Sequence, residues 1–154
     1  MLTEEETQAI QAEMVKYETF AAVCPEALRI VQENRRWVPD DAVADVAGLL
    51  DMTVEEVDAV ATFYNLILRR PVGRHVIRIC DSVSCWLMGF GEVLARIVDR
   101  LGISWGETTR DGRFTLLPAV CLGACDHAPA ILVDEDLHQD LTPDRVDEVL
   151  DLYL

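Results

Sequence analysis

Cys121-Leu122-Gly123-Ala124-Cys125, continuing as Asp126-His127-Ala128-Pro129, is the run on which the reading of this chain turns, and Cys80-Asp81-Ser82-Val83-Ser84-Cys85 is its earlier counterpart. The second pair encloses three residues and the first encloses four, with 35 residues between Cys85 and Cys121. Each pair follows a predicted strand. His75-Val76-Ile77-Arg78-Ile79-Cys80 alternates β-branched residues and ends on a cysteine, and Phe114-Thr115-Leu116-Leu117 with Val120 runs into Cys121. Four thiols therefore stand where strands give way to loops, and backbone N–H groups of such loops can turn toward an anion.

Four chemistries compete for these thiols. An iron–sulfur cluster of the two-iron kind takes four cysteine thiolates, two on each iron, and is anionic in both oxidation states. Small residues inside the second pair, Gly123 and Ala124, permit close backbone approach, and Ser82 and Ser84 can offer hydroxyl hydrogen bonds to sulfur. A structural zinc site usually has two-residue gaps, so gaps of four and three place zinc behind iron–sulfur. A thioredoxin-type redox pair needs two intervening residues, which neither pair has. A Rieske-type centre substitutes histidines for two cysteines. Of His75, His127 and His138, only His127 adjoins a pair, and it reads as a loop residue beside the site. Cys24 lies far from the other four and reads as a small buried apolar side chain.

The remainder excludes more than it adds. The chain has 154 residues, is half hydrophobic and carries a net charge of −15, with the acid excess spread along its length. Such a surface repels phosphate backbones, so no nucleic-acid partner is expected. No apolar run approaches the roughly 20 residues of a membrane span, and Met1-Leu2-Thr3-Glu4-Glu5-Glu6 is unlike a secretory signal. The expectation is a cytoplasmic protein with no direct membrane insertion. No nucleophile elbow, phosphate loop or zinc-binding helix is present, and no residue is predicted to be catalytic.

Ahead of the strands the periodicity is helical. Thr3 with Glu6 is a capping-box pattern opening a helix from residue 3 to about 20, with Ile10, Met14, Tyr17 and Ala21 on one face. A second helix is predicted over 25–36, with Pro25 at its first position, and a third over 41–50, capped by Asp40 or Asp41. Thr53 with Glu56 opens a fourth over 54–67. The last two also suit a DNA-binding helix-turn-helix, but Glu55, Glu56 and Asp58 would face the phosphates, so a packing bundle is the better reading. Arg69-Arg70-Pro71-Val72-Gly73-Arg74 ends the helical part, and its arginines, with Arg78 nearby, read as a solvated linker. Beyond it a helix with the stripe Leu87, Phe90, Leu94, Ile97, Val98 and Leu101 is predicted, with Gly89 and Gly91 packing close over the cysteine loop. A turn at Asp111-Gly112, a short strand at Ile131-Leu132-Val133-Asp134 and a final helix capped by Thr142 complete the pattern. The fold class is α+β: a helical domain over residues 1–70, then a small sheet with helices beside it over 71–154.

The cysteine spacing and several other runs resemble the E subunits of bacterial NADH:quinone oxidoreductase, relatives of the mitochondrial flavoprotein 2 subunit. The runs are Ala61-Thr62-Phe63-Tyr64, Pro71-Val72-Gly73-Arg74-His75-Val76-Ile77, Cys80-Asp81-Ser82 with Cys85, Gly106-Glu107-Thr108-Thr109 with Asp111-Gly112, Phe114-Thr115-Leu116, Cys121-Leu122-Gly123-Ala124-Cys125 with Ala128-Pro129, and Leu141-Thr142-Pro143. The resemblance implies an N-terminal helical bundle followed by a thioredoxin-like ferredoxin domain holding one [2Fe–2S] cluster. It implies Cys80, Cys85, Cys121 and Cys125 as the ligands, and a partner flavoprotein subunit that binds FMN and NADH. It implies a cytoplasmic place, peripheral to the inner membrane as part of the complex. Ala130 stands where many relatives carry Met. Similar subunits also serve NAD-linked hydrogenases and formate dehydrogenases, and the run from Gly106 to Leu117 favours the respiratory enzyme.

Overall fold

The computed structural model describes residues 1–153; Leu154, the end of the predicted second domain, lies outside the described residues. By its internal contacts the chain divides into two compact units, Met1–Pro71 and Val72–Leu154.

The first unit holds four helices: α1 (Glu4–Met14), α2 (Cys24–Arg35), α3 (Asp40–Leu50) and α4 (Val54–Phe63). Both predicted capping boxes form, Thr3 with Glu6 and Thr53 with Glu56. Helix α1 is shorter than its pattern predicts. It stops near Val15, and Tyr17 and Ala21 do not join its buried face, because residues 20–23 form a separate 3₁₀ turn. Helix α4 likewise ends at Phe63, leaving Tyr64 exposed. The N-cap of α3 is Pro39, and neither Asp40 nor Asp41 caps it; both fall in its first turn, where their charge suits the helix dipole. Ile10, Val23, Cys24, Leu28, Val31, Val46, Leu50 and Val57 form one core. Under it lies a buried ion pair. Glu6 is fully buried, takes Arg35 Nε at 2.8 Å and Nη2 at 2.6 Å, and accepts the Thr3 N–H at 2.8 Å. Arg69 is no solvated linker residue. Its guanidinium bonds the Val38 carbonyl and pairs with Asp40 at 2.7 Å and Asp58 at 3.0 Å, tying the start of α3 to α4.

The second unit is a four-stranded sheet with helices: β1 (His75–Cys80), α5 (Val83–Leu87), α6 (Phe90–Leu101), β2 (Phe114–Ala119), β3 (Ile131–Val133), β4 (Asp136–His138) and α7 (Pro143–Asp151). The strand order is β2-β1-β3-β4; β1 and β2 are parallel, and the other neighbours are antiparallel. Ile77, Ile79, Leu116, Ile131 and Val133 pack with Val93 and Ile97 of α6 and Val146 and Leu150 of α7. Arg78, one residue out of phase with Ile77 and Ile79, belongs to the other face of the sheet. It is buried in β1 rather than solvated at the linker, and its Nε has no hydrogen-bond partner.

Two sequence expectations change here. The helix predicted to begin its stripe at Leu87 is two helices. Gly89, at φ 109°, breaks the chain between α5 and α6, and Leu87 is exposed. A side chain at Gly91 would meet nothing within 4 Å, and one at Gly89 would only reach Pro129 Cγ at 4.0 Å, so backbone conformation rather than close packing explains the glycine at 89. Strand β4 was not predicted; it is three residues long, turned back on β3 through Asp134 at φ 54°.

Candidate metal centre

Parallel pairing decides where the thiols meet. The β1–β2 ladder ends with Cys80 opposite Ala119, so the chain leaves two neighbouring strands at the same edge. The first loop enters α5, which returns Cys85 to Cys80; both are buried, against Ala128 and beside Phe90 and Leu122. Cys80 is held on both sides: its N–H donates to the Ala130 carbonyl at 3.1 Å, and the next N–H, of Asp81, donates to the Ala119 carbonyl at 3.0 Å. The second loop leaves β2 through the exposed Val120 and turns at Gly123, at φ 79°. That left-handed turn aims the Gly123 N–H at Cys121 Sγ, 3.4 Å away, and brings Cys125 Sγ to 3.8 Å from Cys121 Sγ. A side chain on Gly123 would meet nothing within 4 Å, so the glycine serves the turn itself.

His127 sits beside the site, as its position predicts, with a structural task. Its Nδ1 lies 2.9 Å from Asp140 Oδ2, and its carbonyl accepts the Asp140 N–H at 2.8 Å, fastening the second loop to the chain entering α7. Asp140 and the Ala130 carbonyl escaped the sequence reading. Nothing in the sequence announces a backbone oxygen, or pairs residues 127 and 140 across an unpredicted strand.

The four thiols form one interacting group of unequal members. Cys80 and Cys85 are buried, while Cys121 and Cys125 face solvent. Burial first, and then the Cys80 thiol, pushes Cys85 up to about 11. The Gly123 N–H, followed by the Cys125 thiol, holds Cys121 below the ordinary thiol value, and Cys121 in turn raises Cys125. Ser82 and Ser84 of the first loop act to lower the Cys121 and Cys125 thiols respectively.

This donor set fits a thiolate-bound cluster. A tetrahedral metal holding two thiolates at about 2.3 Å sets the sulfurs roughly 3.8 Å apart, the separation found between Cys121 and Cys125. It is far beyond the roughly 2.05 Å of a disulfide. Among the described residues, no three or more His, Cys, Asp and Glu side chains are grouped as a single metal ion requires. A two-iron cluster asks its protein for two thiolates on each iron, and the outer pair has the separation that one iron needs. Cys24, the fifth cysteine, is buried in the helical unit, where desolvation raises its thiol to about 11.

Residues 10–154 match the thioredoxin-like [2Fe-2S] ferredoxin family. The E subunit of the NADH-quinone oxidoreductase of Pseudomonas aeruginosa is 49% identical over 154 residues, covering 100% of this chain and 93% of that one. The E subunit of the Escherichia coli NADH-quinone oxidoreductase is 49% identical over 152 residues, covering 99% and 92%. The solved structure of an NAD+-reducing [NiFe]-hydrogenase in its air-oxidised state superposes with a TM-score of 0.68 at 24% identity. It covers 80% of this chain and 22% of the hydrogenase chain, a likeness of fold.

Proposed function

The chain belongs to the thioredoxin-like [2Fe-2S] ferredoxin family and to the family of NADH-quinone oxidoreductase E subunits, and on that premise we propose that it is the electron-transfer subunit of such a complex, working one electron at a time with the FMN of a partner flavoprotein subunit that oxidises NADH. The observation that carries this reading is the full-length match at 49% identity. When bound, a [2Fe–2S] cluster supplies one-electron redox chemistry and nothing more.

Cys80, Cys85, Cys121 and Cys125 are its proposed ligands. The first pair holds the inner side, out of water. The second presents the outer side, with the Gly123 N–H directed at the Cys121 sulfur and Ser82 and Ser84 acting to lower the outer thiols. Hydrogen bonds to sulfur are one of the means by which a protein sets the potential of such a group.

The surface around the solvent-facing thiols supports the partner reading. Val83, Trp86, Leu87 and Met88, on and just after α5, and Val120 on the second loop are all exposed. A cluster of large apolar side chains in so acidic a molecule marks a protein interface. No described helix is long and apolar enough to cross a membrane, and a place at the cytoplasmic side of the membrane follows from assembly into the complex.

The test is isolation of the tagged full chain from its own host under mild detergent. Co-elution of FMN and NADH-oxidising activity is expected, and Trp86→Asp should loosen that association while the protein keeps its iron. A chain that elutes free of flavin at every detergent concentration overturns the partner assignment.

A further inference from the structure

We infer that Cys121 and Cys125 form a reversible redox gate on cluster assembly: in the cluster-free protein they close to an intramolecular disulfide, and the protein cannot be loaded until that bond is reduced. This rests on the ligand assignment proposed above and adds to it a modification of the outer pair alone.

Three observations single out this pair. First, the sulfurs already lie 3.8 Å apart, so closure requires them to approach by less than 2 Å. Second, the loop between them is preshaped. Gly123 at φ 79° turns the chain back on itself, and only Leu122, Gly123 and Ala124 lie within the ring, so little chain freedom remains to be lost on closure. Third, both thiols are exposed, whereas Cys80 and Cys85 are buried against Ala128, fixed at the end of β1 and within α5, and out of reach of a dissolved oxidant. Exchange needs access by the attacking species, and the outer pair alone provides it.

The chemistry balances with a small disulfide such as oxidised glutathione. One outer thiolate attacks that disulfide, giving a mixed disulfide and releasing one glutathione thiol. The second outer thiolate displaces the remaining glutathione as a thiol and closes the ring. The protein loses two electrons and two protons, and the oxidant becomes two thiols. The closed pair offers no thiolate to an iron, leaving only Cys80 and Cys85, half of what a two-iron cluster needs. A dithiol reverses both steps.

The experiment uses the cluster-free full chain, with Cys24→Ala as a second protein to remove the remaining thiol outside the site. One portion is kept reduced and another is treated with oxidised glutathione. Each is mapped by mass spectrometry and then offered ferrous iron and sulfide without further reductant. The expected result is a Cys121–Cys125 crosslink in both proteins, Cys80 and Cys85 still alkylatable after unfolding, and loss of loading that dithiothreitol restores. A crosslink elsewhere, lasting glutathione adducts, or a Cys121–Cys125 disulfide protein that loads as readily as the reduced one overturns the gate. Failure of the reduced portion to load overturns the ligand assignment instead, and the peptide map still decides the crosslink.

Discussion

Cys80 and Ala119 face each other as the last residues of two parallel strands, and that pairing brings the cysteine loops together. A one-residue slip would turn Cys80, with every other side chain of β1, to the opposite face of the sheet. The buried pair should then tolerate change least. Cys85→Ser replaces a buried thiolate with a hydroxyl that ionises far less readily, so reconstituted protein should carry less iron and sulfide than the parent. Full loading with an unchanged visible spectrum would remove Cys85 from the ligand set.

Cys24→Ala should leave iron and sulfide content unchanged. Its cost falls on the helical unit, where Cys24 is fully buried, and should be roughly 1 kcal/mol in denaturant unfolding. Loss of cluster from this variant would show that the five cysteines had been divided wrongly.

Glu6 and Arg35 predict how the helical unit responds to acid. The Arg35 guanidinium, more than any other group, holds the Glu6 carboxyl below its ordinary value, and the Thr3 N–H adds to this. A carboxyl lowered by folding contributes stability that is fully present above its unfolded value, about 4.3, and is lost as pH falls toward the folded one. Glu6→Gln should cost about 2 kcal/mol near neutrality, because it removes the charge from the two hydrogen bonds with Arg35, which keeps the Met1 carbonyl at 2.9 Å as a partner. It should also flatten the stability profile below about pH 4 relative to the parent. Parallel profiles for the two proteins in urea would contradict the pair's role.

Gly123 separates conformation from space. Since a side chain there meets nothing within 4 Å, Gly123→Ala should cost about 1 kcal/mol through its positive φ alone. Gly123→Asn, which tolerates that conformation, should cost less, and Gly123→Val more. The same order should appear in the rate at which chelator strips iron. Equal rates for all three would mean that the turn does not hold Cys121 and Cys125 in place.

Much of this was legible in the sequence because the signals were local. Thr3–Glu6 and Thr53–Glu56 formed the predicted capping boxes, and the span of β1 was read residue for residue. What failed depended on contacts distant in sequence or on a backbone conformation that spacing alone does not show. Arg69 read as solvated linker because nothing local reveals Asp40 and Asp58 converging on it. Leu87 read as the start of a buried stripe because its spacing was right; one left-handed glycine two residues later turned it outward. The short β4 carried no pattern of its own, and with it went the tie between His127 and Asp140. The cysteine site was readable in composition and spacing, while its unequal burial, two thiols inside and two out, required the fold.

Anaerobic reconstitution of the full chain, followed by iron, sulfide and zinc analysis and by electron paramagnetic resonance after dithionite, tests the four-thiolate site most directly. About two irons and two sulfides per chain, with a rhombic signal appearing on one-electron reduction, are expected. Colourless protein holding one zinc per chain, or bound iron that dithionite leaves without a signal, would contradict it.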